Sequence, residues 1–276
     1  MIGWQAGDGI EWVHMKFSTY KDSLGFGLLQ VANYRGEVWF SIIGKALSIF
    51  GIVLLWSIIG KESSGVGSFW DLAPYFLIAN GVSGLVDAES TRFSRILNDE
   101  IKLGTLSNHL LRPIHPVLFL YVSFLGSRGV VMVMSILLLL SGLLLLPAIS
   151  FVGIILFLFC LLFAFVIALA INLLIGSITF WTTEADHLQN VASHVVRIFS
   201  GVMIPVSLFP ERLKMFTLLS PFPAMGFLPA TLIKNPVWGL DIYISFLSSV
   251  FWVAVFLPFS LLIWKIGLRR YEAVGI

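Results

Sequence analysis

The sequence predicts an all-α membrane protein that crosses the bilayer six times, and three observations support this class. First, 58% of the 276 residues are hydrophobic and only 12% are charged, with a mean hydropathy of +0.96. Soluble domains are about half apolar and about a quarter charged, so an aqueous fold does not explain this composition. Second, six apolar runs approach the roughly 20 residues that a helix needs to cross the hydrocarbon. Third, the basic residues concentrate in alternate loops.

The six predicted spans divide a single transmembrane domain that covers residues 1–276. They lie at about 38–60, 69–86, 128–146, 151–181, 195–209 and 242–266. Of the 17 Lys and Arg residues, 11 fall in one alternate set of loops and 4 in the other. Because positive charge accumulates on the cytoplasmic side, we expect both termini to be cytoplasmic. The N-terminus lacks the pattern of a cleavable signal peptide, so we expect the first span to direct insertion.

The segment before the first span, residues 1–37, contains apolar residues at helical spacing. These residues are Tyr20, Leu24, Leu28 and Val31. With polar residues between them, the pattern predicts an amphipathic helix at the membrane surface. Gly25 and Gly27 disfavour a helix, and a partly ordered tail is the alternative.

The loop between spans two and three, residues 88–116, is polar and yet patterned. Ser90 or Thr91 is a candidate N-cap. Apolar residues then recur at spacings of three and four, which predicts a short amphipathic helix; they are Phe93, Ile96, Leu97, Ile101, Leu106 and Leu110. Such a helix lies on lipid or docks in a groove on another protein. The acidic pair Asp99 and Glu100 favours docking, because anionic lipid repels carboxylates.

The loop after the fifth span is strongly apolar although it contains five prolines. The prolines are Pro210, Pro221, Pro223, Pro229 and Pro236. Prolines at this density exclude one straight spanning helix, and irregular backbone is not tolerated against lipid. We therefore expect short re-entrant or interfacial helices packed against the bundle between spans five and six. An interfacial loop anchored by aromatic side chains is the alternative.

The fourth span carries compact side chains at every fourth position, namely Ala164, Ala168, Asn172 and Gly176. A face of this kind lets another helix approach closely, which favours packing inside the bundle. The alternative places the face at a subunit interface or along a transport pathway, with Asn172 as a polar contact.

Charged residues are sparse inside the spans. Lys45 and Arg128 are expected to extend their charged ends towards the membrane surface. No Asp or Glu occurs between Val117 and Thr183. Their absence disfavours an ion-coupled carrier and a polytopic membrane enzyme, since both need buried acidic groups, but it excludes neither.

The sequence offers few groups for metal, redox or nucleotide chemistry. Cys160 is the only cysteine and lies in an apolar run, so it is expected to pack. Glu184 and His187 stand three residues apart without two further ligands, and no metal site is predicted. The chain has no phosphate-binding loop and no basic face of the kind that binds nucleic acid. We therefore expect this chain not to be an enzyme, and any ATP hydrolysis to come from a partner.

Two stretches of the loop at 88–116 resemble the cytoplasmic signature of type-2 ATP-binding-cassette exporter permeases. They are Asp99-Glu100-Ile101 with Gly104-Thr105-Leu106, and Leu110-Leu111-Arg112-Pro113. The resemblance is to a six-span bacterial branch in particular, and it extends to Tyr34-Arg35, Ser200-Gly201, Pro205 and Phe209-Pro210.

The resemblance implies a permease subunit of an exporter in the bacterial inner membrane. Two such subunits, identical or homologous, would form the pathway within membrane lipid. Separate cytoplasmic ATPase subunits would bind ATP and Mg and drive the pathway. The loop at 88–116 would be the coupling helix that sits in a cleft of the ATPase. Re-entrant helices after the fifth span would gate the outer end of the pathway.

The site hypotheses follow from this resemblance. We expect Asp99 and Glu100 to orient the coupling helix, while three apolar residues insert into the ATPase; these are Ile101, Leu106 and Leu110. The same signature includes Gly104, Thr105 and Arg112. A second group is assigned to the pathway or to packing and comprises Asn172, Gly176, Gly201 and Pro205. The alternative functions are an ion-coupled secondary transporter, a membrane enzyme acting on lipid, and an assembly scaffold.

Overall fold

The computed structural model describes residues 35–62, 69–88, 91–111, 115–182, 185–234 and 236–271. These residues form α-helices without any β-strand, as the sequence predicts. The helices are α1 (Arg35–Glu62), α2 (Phe69–Leu85), α3 (Arg92–Lys102), α4 (Leu106–Leu110), α5 (Pro116–Ser127), α6 (Gly129–Leu144), α7 (Phe151–Ser177), α8 (Ala185–Phe199), α9 (Glu211–Leu219), α10 (Phe227–Lys234) and α11 (Leu240–Leu268). The predicted N-terminal amphipathic helix lies outside the described residues, as do Ser90 and Arg112.

Three of the described helices are long and apolar enough to cross a membrane. Their qualifying segments are Ile42–Ile59, Phe151–Phe180 and Leu240–Leu268. Helices α5 and α6 together qualify as a fourth, although they are bent by 70° relative to each other. The helical class and the multi-pass membrane character are therefore confirmed, and the total of six spans stays a prediction.

Helices α2 and α6 pack closely along small residues. A Cβ atom on Gly81 would lie 2.9 Å from the backbone nitrogen of Leu139, and one on Gly142 would lie 2.7 Å from Cγ1 of Ile78. Only glycine permits this separation, because the backbone of one helix occupies the space that a side chain of the other would need. The same two helices meet again at their shared end, where Gly84 faces Ser135.

Helix α7 lies at the centre of the bundle. Its Ala164, Ile167 and Ala168 belong to the largest apolar cluster, together with Ile78 of α2 and Met225 of the loop before α10. Ser150 begins α7 as its N-cap, since its Oγ accepts a hydrogen bond of 2.9 Å from the amide of Gly153. The second half of this long apolar helix, from Ala164 onward, therefore packs against other helices, while much of its first half is exposed.

The described helices run between two ends of the bundle. At one end α2 stops, α3 and α4 fold across the bundle, and α11 finishes; we call this the α3 end. At the other end α8 stops, α9 and α10 follow, and α11 begins; we call this the α10 end. Lys214 of α9 pairs with Asp241 of α11 there, with 2.7 Å between Nζ and Oδ2.

The fifth predicted span, at 195–209, is wrong in its placement. Helix α8 begins at Ala185 and ends at Phe199, and the chain then turns through Gly201 into a 3-10 helix at Val206–Leu208. The apolar run led the prediction past the true helix end, which is followed by Gly201 in a left-handed conformation that an α-helix does not accommodate. The polar first turns of α8 are helical but lack the apolar character that marks a span.

The third predicted span, at 128–146, corresponds to α6, but the chain before it differs from the prediction. Helix α5 precedes α6 and is separated from it only by Arg128, at the 70° bend. Pro116 stands in the first turn of α5, where its missing amide hydrogen costs nothing. The predicted span began at Arg128, so it left out α5 and with it the bend.

The proline-rich stretch after α8 forms short helices, as expected. Helices α9 and α10 flank a 3-10 helix at Phe222–Met225, and Pro210 and Pro221 stand at the starts of α9 and of the 3-10 helix. Leu228 and Leu232 of α10 are fully buried against the bundle. Entry of these short helices into the membrane stays a prediction.

Candidate functional site

The loop at 88–116 contains two helices where the sequence predicts one. Helix α3 ends at Lys102, and α4 begins at Leu106 after a sharp turn. Gly104 has a φ of 73°, a left-handed conformation that glycine adopts without the strain of a Cβ atom. The amide of Ser107 in α4 donates to the Tyr271 hydroxyl after α11, at 3.2 Å. The turn and this hydrogen bond fix the direction of α4.

The start of α3 is capped by Asp87 rather than by the predicted residue. Asp87 Oδ2 accepts hydrogen bonds from the amides of Arg92, at 3.1 Å, and Phe93, at 3.4 Å. Thr91 has a φ of 45°, and its hydroxyl instead donates to the carbonyl oxygen of Gln189 in α8, at 3.2 Å. Thr91 therefore occupies the predicted N-cap position without making the capping hydrogen bond, and the other candidate, Ser90, lies outside the described residues.

The apolar face of α3 and α4 packs against the chain itself. Ile101 is 3% exposed and Leu106 is 0% exposed. Both belong to a cluster that includes Val117 of α5, Leu173 of α7 and Trp264 of α11. The prediction that Ile101 and Leu106 insert into a partner is therefore wrong, since their side chains already occupy an internal core.

Helix α3 approaches α7 very closely at Gly176. A Cβ atom there would lie 2.8 Å from Cδ1 and 2.9 Å from Cβ of Leu97. One turn earlier, Asn172 Oδ1 accepts a 3.1 Å hydrogen bond from the amide of Ser94, and its Nδ2 donates to the carbonyl of Ala168 at 2.9 Å. Asn172 is buried. The compact face of α7 thus packs inside the chain and holds α3, in agreement with the first interpretation.

Polar side chains connect α3 to the end of α7 and the start of α8. Asn98 Nδ2 donates to Asp186 Oδ1 at 2.7 Å, and the Thr179 hydroxyl donates to Asn98 Oδ1 at 2.9 Å. Lys102 Nζ lies 3.0 Å from the other carboxylate oxygen of Asp186. Motion of α3 relative to α7 and α8 would break these contacts, so the three helices form one mechanical unit.

Glu100 acts within the turn between α3 and α4. Its Oε2 accepts a 2.6 Å hydrogen bond from the Thr105 hydroxyl and lies 3.4 Å from Nε2 of His109. Asp99, by contrast, is exposed. The two neighbouring acids therefore differ in role, since one holds the turn and the other points into solvent.

The outer face of α3, the turn and α4 remains exposed. It includes large apolar side chains, because Leu103 is 72%, Leu110 is 40% and Leu111 is 86% exposed. We call this face the α3–α4 surface and define it by Asp99, Leu103, Thr105, Leu110 and Leu111. Exposed leucines beside polar residues are typical of a contact with another protein or with the membrane surface.

Arg128 and Asp87 form a buried ion pair that the sequence prediction missed. Arg128 Nη2 lies 3.1 Å from Asp87 Oδ1 and donates to the carbonyl of Gly84 at 3.0 Å, while the guanidinium carbon is 5.1 Å from the centre of the Phe124 ring. Burial raises the pKa of the Asp87 carboxyl, while Arg128 and the amide hydrogen bonds of Phe93 act in the opposite direction. The expected extension of Arg128 to the membrane surface is wrong, since its side chain is buried.

A signal for this pair was present in the sequence. Asp87 stands at the end of the second predicted span and Arg128 at the start of the third. Consecutive antiparallel helices meet at such ends, so opposite charges there are close in space. The pair joins the end of α2, the cap of α3 and the bend before α6 at one point.

Gly201 and Pro205 shape the turn after α8. Gly201 has a φ of 81°, and its carbonyl accepts a 2.8 Å hydrogen bond from the Tyr75 hydroxyl. A Cβ atom on Gly201 would lie 2.7 Å from that hydroxyl oxygen and 3.0 Å from Cβ of Phe227. Pro205 is buried next to the 3-10 helix that follows. Both residues therefore have a packing role at the α10 end.

Metal-binding side chains do not cluster within the part of the chain that the structure describes. No group of three or more His, Cys, Asp or Glu residues stands close enough there to hold an ion. Cys160 is fully buried on α7 and packs against α10, as expected. The features that stand out among the described residues are the exposed α3–α4 surface and the buried ion pair at the start of α3.

Comparison with known proteins identifies the sequence with one family. Residues 42–275 match the sequence profile of a family described as ABC-2 family transporter protein. The matched residues include α2 to α11 and most of α1. A search of curated protein sequences gives no match to the chain.

Proposed function

The chain belongs to the ABC-2 family of transporter proteins, and we propose that it is the dimer-forming permease subunit of an ATP-binding-cassette exporter, driven by a separate ATPase. Family membership and the long apolar helices support a multi-pass membrane protein with a transport role. The observation that carries the coupling part of the proposal is the α3–α4 surface. It is exposed on one side and attached on the other side to α5, α7, α8 and α11.

The attachment explains how a partner could move the membrane helices. A force on α3 would pass to α7 through the contact of Leu97 with Gly176 and the hydrogen bond of Ser94 to Asn172. It would pass to α8 through the contacts of Asp186. Tightly packed helices move as rigid elements, because their interfaces have few stable arrangements and do not deform continuously.

The contact residues of this proposal differ from those expected from the sequence. Leu103, Leu110 and Leu111 would supply the apolar contacts, and Asp99 would pair with a basic group of the ATPase. Glu100, Gly104 and Thr105 would act by shaping the turn, while Ile101 and Leu106 would anchor it to the bundle. Arg112, which lies outside the described residues, stays part of the proposed contact with the ATPase.

The proposed assembly places the α3 end in the cytoplasm of a bacterial cell, with both termini on that side of the inner membrane. The excess of Lys and Arg in the corresponding loops supports this orientation. Two permease chains would form the pathway, and ATP and Mg would bind to the ATPase rather than to this chain. The outward side chains of α1 are large and apolar, among them Phe40 and Leu47, which suits contact with lipid or with the second chain.

Co-purification tests the proposal. The tagged chain is expected to bring down an ATPase in stoichiometric amount from native membranes in mild detergent, together with measurable ATP hydrolysis. Leu103→Glu should abolish both, because a charge replaces the most central exposed leucine of the turn. The matched control is Val237→Glu at the α10 end, where Val237 is 64% exposed and its substitution should leave both unchanged. Retention of the ATPase by Leu103→Glu would refute the assigned surface.

A further inference from the structure

Three buried amide side chains lie where α3, α7 and α8 meet, and they differ in their hydrogen bonds. They are Asn98 of α3, Asn172 of α7 and Gln189 of α8, and each is at most 2% exposed. Both Asn98 and Asn172 use their amide nitrogen and their amide oxygen. The Oε1 and Nε2 atoms of Gln189 are buried and have no hydrogen-bond partner in the described part of the chain. Such a group is unfavourable, because its polar atoms lose water without a replacement.

The contacts of α3 with α7 and with α8 differ in their burial. The contact with α7 is buried, since the amide of Ser94 bonds to Asn172 and both residues are at most 2% exposed. The side-chain contacts with α8 lie at or near the surface. They involve Asp186, whose side chain is 59% exposed, and the 2.7 Å hydrogen bond from Arg95 Nη2 to Asn190 Oδ1. Water competes for exposed polar groups, so these contacts contribute little to holding α8.

Gln189 also takes part in a buried hydrogen bond between the start of α3 and α8. Its carbonyl oxygen accepts from the Thr91 hydroxyl at 3.2 Å. The same residue therefore contributes one neutral hydrogen bond to the contact and leaves two polar atoms of its side chain unpaired. One such bond stabilises by less than the burial of two unpaired atoms costs, so the α8 side of the junction is the weaker one.

Helix α8 also borders a space into which it can move. An apolar cavity of about 350 Å³ lies between α7, α8 and α11, and its walls include Ile175, Val195 and Phe256. Every described residue of its lining is apolar. A shift of α8 towards this cavity would exchange one set of apolar contacts for another and would bury no further polar group.

We propose that the chain has a second, open conformation in which α8 separates from α3 and the Gln189 amide reaches water, while α3 and α7 stay together. The contacts of Asp186 make the three helices one unit in the closed conformation of the structure. The unpaired amide lowers the cost of opening at α8, because separation exchanges weak exposed contacts for hydration of a buried group. The inference is independent of the ATPase, because it concerns only residues of this chain.

Thiol labelling of the purified full chain in lipid nanodiscs tests this inference. Ala185→Cys places a thiol one turn before Gln189 on the same face of α8, where Ala185 is 0% exposed. Ser177→Cys places a thiol at the end of α7, where Ser177 is also 0% exposed. The native Cys160 is replaced by alanine in both variants. When opening is fast relative to labelling, the rate of reaction with a water-soluble maleimide is proportional to the open population.

Gln189→Met removes the amide and keeps the length of the side chain. We expect it to slow labelling at Ala185→Cys about tenfold, because an apolar side chain stabilises the closed junction, and to leave labelling at Ser177→Cys unchanged. Gln189→Leu, a second apolar shape, should act in the same direction. Labelling at Ala185→Cys that neither variant slows, or slowing of the same size at Ser177→Cys, would overturn the proposal.

Asn98→Leu is the matched control, because it removes a buried amide that is fully paired. Its loss leaves the buried Thr179 hydroxyl without its acceptor, so labelling at Ala185→Cys should become faster rather than slower. Slower labelling in this variant as well would assign the effect to added apolar surface in general and would overturn the role of Gln189.

Discussion

The two ends of the bundle differ in the balance of their polar contacts. At the α3 end, side chains bond to each other, as in the ion pair of Arg128 with Asp87 and the contacts of Asp186 with Asn98 and Lys102, as well as to backbone groups. At the α10 end, beside the pair of Lys214 with Asp241, side chains of the long helices bond to backbone carbonyls. Examples are Trp56 to Met203 at 3.0 Å, Tyr75 to Gly201 at 2.8 Å, and Trp252 to Leu219 at 2.7 Å.

This difference follows from the local backbone. At the α3 end most of the backbone is helical, and free amides at the start of α3 are bound by the side chains of Asp87 and Asn172. The chain from Ser200 to Phe209 and the turn at Leu219–Pro221 are irregular, and their carbonyls need donors from elsewhere. In a membrane protein such donors come from neighbouring helices, because lipid offers none. Donors from neighbouring helices thus hold the irregular backbone of the α10 end in place.

The largest expected effect comes from breaking the ion pair at the α3 end. Arg128→Met should lower the free energy of unfolding by about 3–5 kcal/mol, because Asp87 becomes a buried charge without its basic partner. Thermal unfolding in detergent measures the loss. The double variant Arg128→Met with Asp87→Asn should recover most of it, since the asparagine can still cap α3. A double variant less stable than the single one would contradict this account.

At the α10 end, Gly201→Ala should cost about 2–3 kcal/mol, because a non-glycine residue is strained at a φ of 81° and its Cβ atom collides with Tyr75. The same unfolding measurement applies. Gly44→Ala is the matched control, as its Cβ atom would meet nothing and alanine favours the helix. We expect the control to be as stable as the native chain or slightly more stable. Equal losses of unfolding free energy in the two variants would argue against strain at the Gly201 turn.

The contact between α3 and α7 can be tested with Gly176→Ala. Its methyl group would approach both Cβ and Cδ1 of Leu97, so α3 must shift, at a cost of about 1–2 kcal/mol. If α3 transmits motion, the variant should lose a larger fraction of its substrate-stimulated ATP hydrolysis than of its free energy of unfolding. Gly51→Ala, where a Cβ atom meets nothing, should change neither quantity.

Loss of a single hydrogen-bond donor to the irregular backbone is expected to lower the free energy of unfolding less. Tyr75→Phe removes the hydrogen bond to the Gly201 carbonyl and should lower the free energy of unfolding by about 1 kcal/mol. Tyr243→Phe is the control, because Tyr243 is an exposed residue of α11. If both variants unfold at the same temperature as the native chain, the Gly201 carbonyl has another donor. The contrast between the two ends is then weaker than stated.

The smallest effect is expected at the exposed side of the α3 end. Lys102→Gln removes the 3.0 Å contact with Asp186, where the acid side chain is 59% exposed. Because solvent screens such pairs, the free energy of unfolding should fall by less than about 0.5 kcal/mol. A loss in the free energy of unfolding above about 1 kcal/mol, or one insensitive to added salt, would contradict the assumption that solvent screens this pair.

Much of the fold and part of the candidate site could be predicted from the sequence. Composition and the long apolar runs predict membrane helices, and the spacing of Ala164, Ala168, Asn172 and Gly176 predicts a close helix contact. The same pattern could not say which helix makes that contact. The apolar face of α3 was likewise predicted, but its periodicity is the same whether Ile101 and Leu106 face an ATPase or the chain's own core.

By itself, then, the sequence determined the helical membrane class, the family and the location of the polar loop, because composition and spacing are local properties. Tertiary structure alone decided the burial of the Asp87–Arg128 pair, the bend at Arg128, the end of α8 at Phe199 and the different roles of Asp99 and Glu100. These features depend on residues that are distant in the chain and adjacent in space. Their energies arise only when burial removes water from both partners, which no local pattern records.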